Sequence, residues 1–335
     1  MGTDDDCCWN CRAGQAGKSM AEILVTGGAG FIGSHLVQSL IQAGHSVVNI
    51  DELNDYYNPE FKHYNLAQLP RHPFYQGNIC DAALLHTVFQ KHRINKVIHL
   101  GARAGVRPSI QQPQLYEAVN YGGTAQLVDI ATQHGIEQFI FGSTSAVYGN
   151  TASLPFTEEI VNLSPISPYA ISKLKAERYL QEHHVRTDLP LTILRFFTVY
   201  GERGRPDMAP YLFTEAILHQ QPIKKFGDGS TSRDYTYIAD IIAGIVAAVQ
   251  QPFDFEIINL GNSKAVTLNE FISTLEQATG KTAVIEQLPA QSGDVNHTLA
   301  DVSKAQRLLG YQPTTSLETG LRKFVGWYVA TRDSR

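Results

Sequence analysis

The sequence predicts an α/β protein: a doubly wound parallel sheet followed by a smaller, discontinuous α/β unit in its C-terminal part. Three observations carry this reading. An apolar strand pattern runs through a glycine turn into a helix pattern between Glu22 and Gly44. Strand-like and helix-like patterns then alternate to about residue 197. Beyond Thr198 the alternation loosens into turns, prolines and polar loops before one more helix and strand return.

Taken in order, "EILVTGG" is a buried strand entering a turn, and "FIGSHLVQSLIQAG" spaces its apolar residues as a helix does, with Gly44 as its stop. "HSVVNID" is the next strand and closes on Asp51. A short strand near Phe74–Gln76, a helix over about 82–92, the strand "KVIHLGA", a helix over about 114–134 and the strand "QFIFGST" continue the alternation. The helix "PYAISKLKAERYLQEHH" and the strand "LTILRFF" follow, the latter containing Arg195. "YIADIIAGIVAAVQ" and "FEIINLG" read as a helix and strand rejoining the sheet, and "LNEFISTLEQATG" and "VSKAQRLLG" as later helices. The expected division is a nucleotide domain over 20–197 and 236–262 and a second domain over 198–235 and 263–330. Residues 1–19 have no period and no apolar run, so they read as a disordered tail or an artificial extension, with Met20 as a natural start.

Bulk properties exclude several classes. The 335 residues include 27 basic against 32 acidic ones, a net charge of −5 that gives no reason to expect nucleic acid. The longest strongly apolar run, Ile241 to Val249, is too short to span a bilayer. Three of the four cysteines (Cys7, Cys8, Cys11) lie in the leader, without a second ligand pair for a metal; no metal site is expected. Cys80 alone remains in the body, which fits a reducing compartment and a cytoplasmic protein.

The turn "TGGAGFIG" places Gly27, Gly30 and Gly33 between a strand and a helix. Gly27 permits the turn, Gly30 lets backbone approach a pyrophosphate, and Gly33 allows close helix–sheet packing, with Phe31 and Ile32 at the helix start. Asp51 follows at the end of the second strand, where a carboxylate accepts hydrogen bonds from ribose hydroxyls and repels a 2′-phosphate. This Rossmann-type pattern predicts NAD rather than NADP. Asn54, Asn78 and Ile79 complete the adenine side of the expected cofactor site, and Leu100, Gly101 and Ala102 the nicotinamide side.

Tyr169 and Lys173 stand four apart at the start of a helix, with Ser167 as N-cap and Pro168 in the first turn. Four-residue spacing puts them on one face, where an ammonium, helped by the cofactor's positive nicotinamide, would lower the phenol pKa from about 10 toward neutrality and make a base for a sugar hydroxyl. By itself such a pair is more often plain amphipathic surface. The upstream "FGSTSAVYG" ends a strand with three hydroxyls where a parallel sheet opens its ligand crevice, which favours chemistry.

Together "TGGAGFIG", Asp51, "VIHLGA", Asn120 in "VNYGGT", "STSAVYG", "YAISK" and "LRFFTVYG" resemble the extended short-chain dehydrogenase/reductases of the nucleotide-sugar epimerase branch. "GDGSTSRDYTYIADI" and "SGDVNHTLAD" extend the resemblance over Ala21 to Tyr328. It implies that Thr144 polarises the substrate oxygen, that Tyr169 is the base and Lys173 its tuner, that Ser143 and Ser145 flank the site, and that Asn120, counted with the cofactor site, supports it. Dehydratases and uronate decarboxylases of related branches carry acids near Ala146, which supplies none. Hydride chemistry alone is then expected: NAD stays bound and is recycled while C4 is oxidised and reduced from the other face.

The resemblance also implies a UDP-sugar substrate, with Phe226 beside uracil, Arg233 on the diphosphate, and Tyr235 and Asp294 nearby; Gln291 replaces a second phosphate-binding arginine. "FFTVYGERGRPDMA" resembles the corresponding loop of UDP-glucuronate 4-epimerases. Galactose epimerases carry asparagine at the Thr198 position and lack the "GRPDMA" run. Arg205 is the expected partner of a sugar carboxylate, with Met208 beside it, and "AGVRPS", carrying Arg107 and Ser109, is the opposite wall. Arg203 and Arg103 depart from that subfamily's pattern. The expected activity is interconversion of UDP-glucuronate and UDP-galacturonate. A 4-epimerase of a neutral UDP-hexose or UDP-N-acetylhexosamine, a UDP-uronate decarboxylase, and a non-catalytic NAD sensor remain as alternatives. A homodimer through the helices 114–134 and 168–184 is implied as well.

Overall fold

The computed structural model describes residues 20–150, 153–289 and 295–332. The leader 1–19, Gln291 and Asp294 lie outside these described residues. In chain order the first elements are β1 (Glu22–Thr26), α1 (Phe31–Gln42), β2 (Ser46–Asp51), α2 (Glu60–Ala67), β3 (Phe74–Gln76), α3 (Ala82–Lys91) and β4 (Lys96–His99). They continue with α4 (Val106–Gln111), α5 (Pro113–Tyr116), a π-helical turn (Glu117–Gly123), α6 (Thr124–Gln133), β5 (Gln138–Thr144), a 3-10 turn (Ser145–Tyr148), α7 (Pro168–Thr187) and β6 (Leu191–Phe196). The remainder comprises β7 (Thr198–Tyr200), α8 (Ala209–Leu218), β8 (Pro222–Phe226), β9 (Ser232–Tyr237), α9 (Ile238–Gln250) and β10 (Phe255–Leu260). Last come β11 (Ala265–Thr267), α10 (Leu268–Thr279), β12 (Val284–Leu288), α11 (Ser303–Leu309) and α12 (Leu317–Thr331).

Seven strands form one sheet in the order β10-β6-β5-β4-β1-β2-β3, and every pairing in it is parallel. The doubly wound sheet expected from the alternation is therefore observed. From β1 the chain winds outward through β2 and β3, then crosses back to β4, so the switch point lies between β1 and β4, where such sheets open a crevice. Apolar side chains of α1 and α9 (Leu36, Leu40, Ile241, Ile245) seal one face, and those of α3, α6 and α7 (Leu85, Val88, Leu127, Leu180) the other. A three-stranded sheet (β11-β9-β7) and a two-stranded one (β12-β8) stand beyond the C-terminal edge of the strands.

Local rules hold where caps decide. Asp81 accepts from the Leu84 amide at the start of α3, and Thr267 and Glu270 form a reciprocal capping box on α10, which ends at left-handed Gly280. The single helix expected over 114–134 is instead broken by the π-helical turn. At Gly123 a Cβ would meet Ile79 Cδ1 at 2.9 Å and Cys80 Sγ at 3.2 Å, so close packing occupies the space a regular side chain would need. Such turns re-aim side chains at sites, and this one carries Asn120.

α2, α8 and α12 escape the sequence reading. α12 contains Gly320 and Gly326, which disguise its period. Gly320 is required by contact: a Cβ there would lie 2.2 Å from Tyr200 Oη, whereas one at Gly326 meets nothing within 4 Å. Gly320→Ala is therefore expected to destabilise by about 1–3 kcal/mol through overpacking, and Gly326→Ala to stabilise by about 0.5–1 kcal/mol through helix propensity. Paired thermal melts check the opposite signs.

Candidate active site

The loops after β1, β2, β4, β5 and β7 meet over the switch point around a crevice of about 1210 Å³. Its floor begins at the glycine turn. Gly27 has φ +76, and a Cβ on it would strike Gly101 N at 2.8 Å, so the loops after β1 and β4 abut as backbone. A Cβ on Gly33 would lie 2.1 Å from Gly27 O, whereas one on Gly30 would meet only Gly27 O, at 3.2 Å. The N-terminus of α1 therefore faces the crevice with backbone at Gly30, Phe31 and Ile32, a cradle suited to a pyrophosphate. Asp51 is buried, and its two oxygens accept from Ala29 N (3.1 Å) and Leu53 N (2.9 Å). Burial raises its pKa while these amides oppose the rise. Glycine cradle and carboxylate fit a dinucleotide with free ribose hydroxyls.

Asn54, Asn78, Ile79, Leu100, Gly101 and Ala102 line this end too. The sequence reading missed what holds them: Glu52 accepts from Arg103 Nη2 (2.9 Å), Asn78 Nδ2 (2.8 Å) and Asn54 Nδ2 (3.0 Å). Lys62 Nζ in turn donates to Asn54 O at 2.8 Å and Oδ1 at 2.9 Å. Arg103, a departure from the subfamily pattern, thus has a partner of its own. Glu52 and Asn54, Asn78, and Arg103 sit on three separate loops and Lys62 on α2, and no local spacing announces them.

The catalytic end is set by α7. Ser167 Oγ accepts from Ala170 N at 3.2 Å with Pro168 in the first turn, as expected, and the helix presents Tyr169 and Lys173 to the crevice. The Tyr169 and Thr144 side chains are hydrogen-bonded. Thr144 Oγ1 also accepts from Ala146 N at 3.2 Å, fixing the 3-10 turn that carries Ser145. Ser143 also lines the crevice, but its side chain is buried and its hydroxyl donates to the Glu177 carboxylate. Asn120 is not on the crevice wall. Its amide donates to Arg103 O (2.9 Å) and Ser172 Oγ (3.1 Å) while its oxygen accepts from Arg103 N (2.7 Å), tying the loop after β4 to α7.

Lys173 alone does not produce the expected lowering. The Tyr169 phenol is raised, not lowered: burial outweighs its hydrogen bond with Thr144 and the charge of Arg205, both of which pull it down. Lys173 does not supply the lowering because it is itself buried. Its Nζ lies 4.0 Å from the Phe141 ring centroid, and burial brings its pKa from 10.5 to about 7 against the opposing pull of Glu177. Burial thus disfavours its charged form. Next to it, His99 is fully buried between Thr26 Oγ1 (2.6 Å) and Thr124 Oγ1 (3.0 Å), with its pKa lowered to about 3 by burial and then by Lys173, so it is neutral.

The far end carries Thr198, Met208, Arg107, Phe226, Arg233 and Tyr235. Arg107 lies over the Phe226 ring at 5.3 Å, and Tyr235 stacks on Phe271 at 4.4 Å. Arg233 Nη1 donates to Ser232 O (3.0 Å) and Asn296 O (3.2 Å). Ser109 does not reach the wall; it is buried, with its hydroxyl donating to Val106 O. Of the loop arginines, Arg195 belongs to β6 as expected. Arg203, at φ +60, turns away and donates to Gln38 Oε1 of α1 at 2.6 Å. Arg205 faces the crevice, but not as a free cation: Asp207 holds it from the side.

A family model described as GDP-mannose 4,6 dehydratase matches residues 24–324. UDP-glucuronate 4-epimerase of Thermodesulfobacterium geofontis is 41% identical over 92% of this chain and 96% of its own length. The crystal structure of UDP-glucuronic acid 4-epimerase from Bacillus cereus, in complex with UDP-glucuronic acid and NAD, superposes with a TM-score of 0.87 at 38% identity, covering 92% of this chain and 99% of that one. UDP-glucose 4-epimerase from Thermotoga maritima with UDP-glucose gives 0.86 at 35% identity over 93% and 99%. By sequence, fold and site, the chain belongs to the nucleotide-sugar-modifying family of that model and is a homologue of the UDP-glucuronate 4-epimerases.

Proposed function

We propose that the protein is an NAD-dependent epimerase that interconverts UDP-glucuronate and UDP-galacturonate at C4. The observation that carries this reading is the placement of Arg205 in the chamber of Thr144 and Tyr169, near enough for its charge to act on the phenol. A cation there meets a carboxylate on C5 while the hydroxyl on C4 meets the base. Homology to UDP-glucuronate 4-epimerases and the B. cereus complex support the same assignment.

The chemistry supplied by bound NAD is to take the C4 hydride and return it to the opposite face, with no net oxidation. Gly30 and the α1 N-terminus would hold its pyrophosphate and Asp51 its ribose. Tyr169 Oη accepts the C4 hydroxyl proton and later gives it back, with Thr144 steering the hydroxyl. Arg205 and the protonated fraction of Lys173 lower the cost of the tyrosinate. Phe226, Arg233 and Tyr235 receive the nucleotide. Ala146 places no acid beside Thr144, so neither elimination nor decarboxylation has a second acid–base group there.

A neutral UDP-hexose is the second reading, favoured by one observation: Asp207 already satisfies Arg205. The T. maritima UDP-glucose 4-epimerase is also a close structural neighbour. Among the described residues no helix is long and apolar enough to cross a membrane; we place the enzyme in the cytoplasm, on the cysteine pattern, a placement that export of the native protein would refute. Ile171 and Val185, 40% and 75% exposed on α7, support the expected homodimer. Sedimentation at twice the chain mass is its expected signature, and a monomer would refute it.

Arg205→Ala is expected to cut kcat/KM for UDP-glucuronate about ten- to a hundred-fold, the loss of a charge-assisted contact, and to leave UDP-glucose binding unchanged. Unchanged uronate turnover would sink the carboxylate assignment, and a UDP-pentose product would replace it with decarboxylation. Lys173→Met is expected to cost about a hundred-fold or more in kcat while stabilising the cofactor-free protein. Because the native pKa lies below the unfolded one, the native state binds fewer protons between about pH 7 and 10.5. The wild-type penalty is therefore full below about pH 7 and gone above about 10.5. The melting-temperature gain of the variant should shrink as pH rises; a variant less stable at every pH contradicts this.

A further inference from the structure

The pairing of Arg205 has a geometry that the proposed reaction must reckon with. Nε donates to Asp207 Oδ1 at 2.9 Å and Nη2 to Asp207 Oδ2, a side-on, two-point contact. Tyr56 Oη donates to the same Oδ2 at 3.0 Å, and Arg205 Cζ lies 5.4 Å from the Tyr56 ring centroid. The loop after β4 packs against Tyr56: a Cβ on Gly105 would lie 2.2 Å from its hydroxyl. The clasp therefore joins the loops after β2 and β7 on the crevice wall, with the loop after β4 packed against it. Its two charges are unequally covered, the Arg205 side chain being 20% exposed and that of Asp207 34%. If the pair opens, the carboxylate has more ready access to water than the guanidinium.

Returning a hydride to the opposite face of C4 from a fixed carrier requires the 4-keto sugar to turn over. Its carboxylate, on the adjoining carbon, cannot stay on one guanidinium through that turn. We infer that Asp207 is an exchange partner for Arg205: it holds the guanidinium in the empty site, yields it to the sugar carboxylate on docking, and takes it back while the ring turns. Asp207 is thus a positioning residue acting through Arg205, and the inference rests on the reading of Arg205 as the uronate's partner. The exchange weakens ground-state hold on the uronate and spares the turning sugar an orphaned cation behind it.

The test is Asp207→Asn in the purified full chain, with calorimetric binding of UDP-glucuronate beside steady-state kinetics. Removing the competing carboxylate should tighten UDP-glucuronate about five- to ten-fold in Kd and lower KM in step, while kcat falls about ten-fold or more. UDP-glucose binding should not change, and Asp207→Glu, which restores the exchange, should recover both constants toward wild type. Weaker binding with kcat unchanged would mean that Asp207 merely props Arg205, and overturns the inference; so would two unchanged constants. If the Asn variant melts well below wild type, the Glu variant alone decides: its imperfect hold should tighten Kd and lower kcat together, by less than Asn would, and weaker binding with a lower kcat overturns the exchange. Failure of the underlying reading is distinct, because there Arg205→Ala leaves UDP-glucuronate binding intact whatever Asp207 does.

Discussion

A charge pair sealed beneath the catalytic helix fixes the geometry on which the site depends. Arg195 donates from Nε (3.1 Å) and Nη2 (2.7 Å) to Glu177, and both side chains are 3% exposed. Burying two charges is expensive and is repaid only when geometry and further hydrogen bonds are good. Here the Ser143 hydroxyl donates to the same carboxylate, and the Tyr148 ring lies 4.9 Å from the guanidinium. Parallel register sets Ser143 of β5 directly beside Arg195 of β6, so one carboxylate on α7 gathers two strands. Thr144 is the next residue on β5, and Lys173 is one helical turn before Glu177. The spacing between the Thr144 hydroxyl and the Tyr169 face of α7 is thereby held from below, and Glu177 is also what keeps part of the charge on buried Lys173.

Around that anchor the crevice is assembled by loops that are themselves paired rather than free. Asp51 closes the glycine turn, Glu52 gathers Arg103, Asn78 and Asn54, Asn120 binds the loop after β4 to α7, and Asp207 clasps Arg205. Glu52 crosses to the loops after β3 and β4 and Asp51 to the glycine turn, whereas Asp207 holds an arginine of its own loop. The arrangement helps a site with many charges stay ordered: Arg103 and Arg205 each hold an acidic partner before any ligand arrives.

What was legible in the sequence was local. Gly27, Gly30, Gly33 and Asp51 could be read because turn geometry and strand ends dictate residue types over short spans. Tyr169 and Lys173 could be read because four residues make one helix face. The assignment of Arg195 to a strand came from the same short-range logic, whereas the emphasis on Arg205 came from the resemblance of its loop to that of UDP-glucuronate 4-epimerases. What depended on distant partners was not legible. Nothing in "GRPDMA" says that its aspartate occupies its arginine, nor does "KAERYL" announce that Glu177 pairs with a residue 18 positions on. The lowered phenol expected from Lys173 failed for a related reason: spacing shows that a lysine can reach, but only the packing on Phe141 shows that burial disfavours its charged form. The π-helical turn that carries Asn120 escaped because a regular apolar period conceals one inserted residue.

The central claim is that hydride leaves C4 and returns to the same carbon on the same protein molecule. It is tested most directly with UDP-glucuronate deuterated at C4, incubated with the enzyme as purified and no NAD added. The product should be UDP-galacturonate with the deuterium still on C4 and no UDP-pentose. Loss of the label to solvent, or release of a pentose, would contradict it.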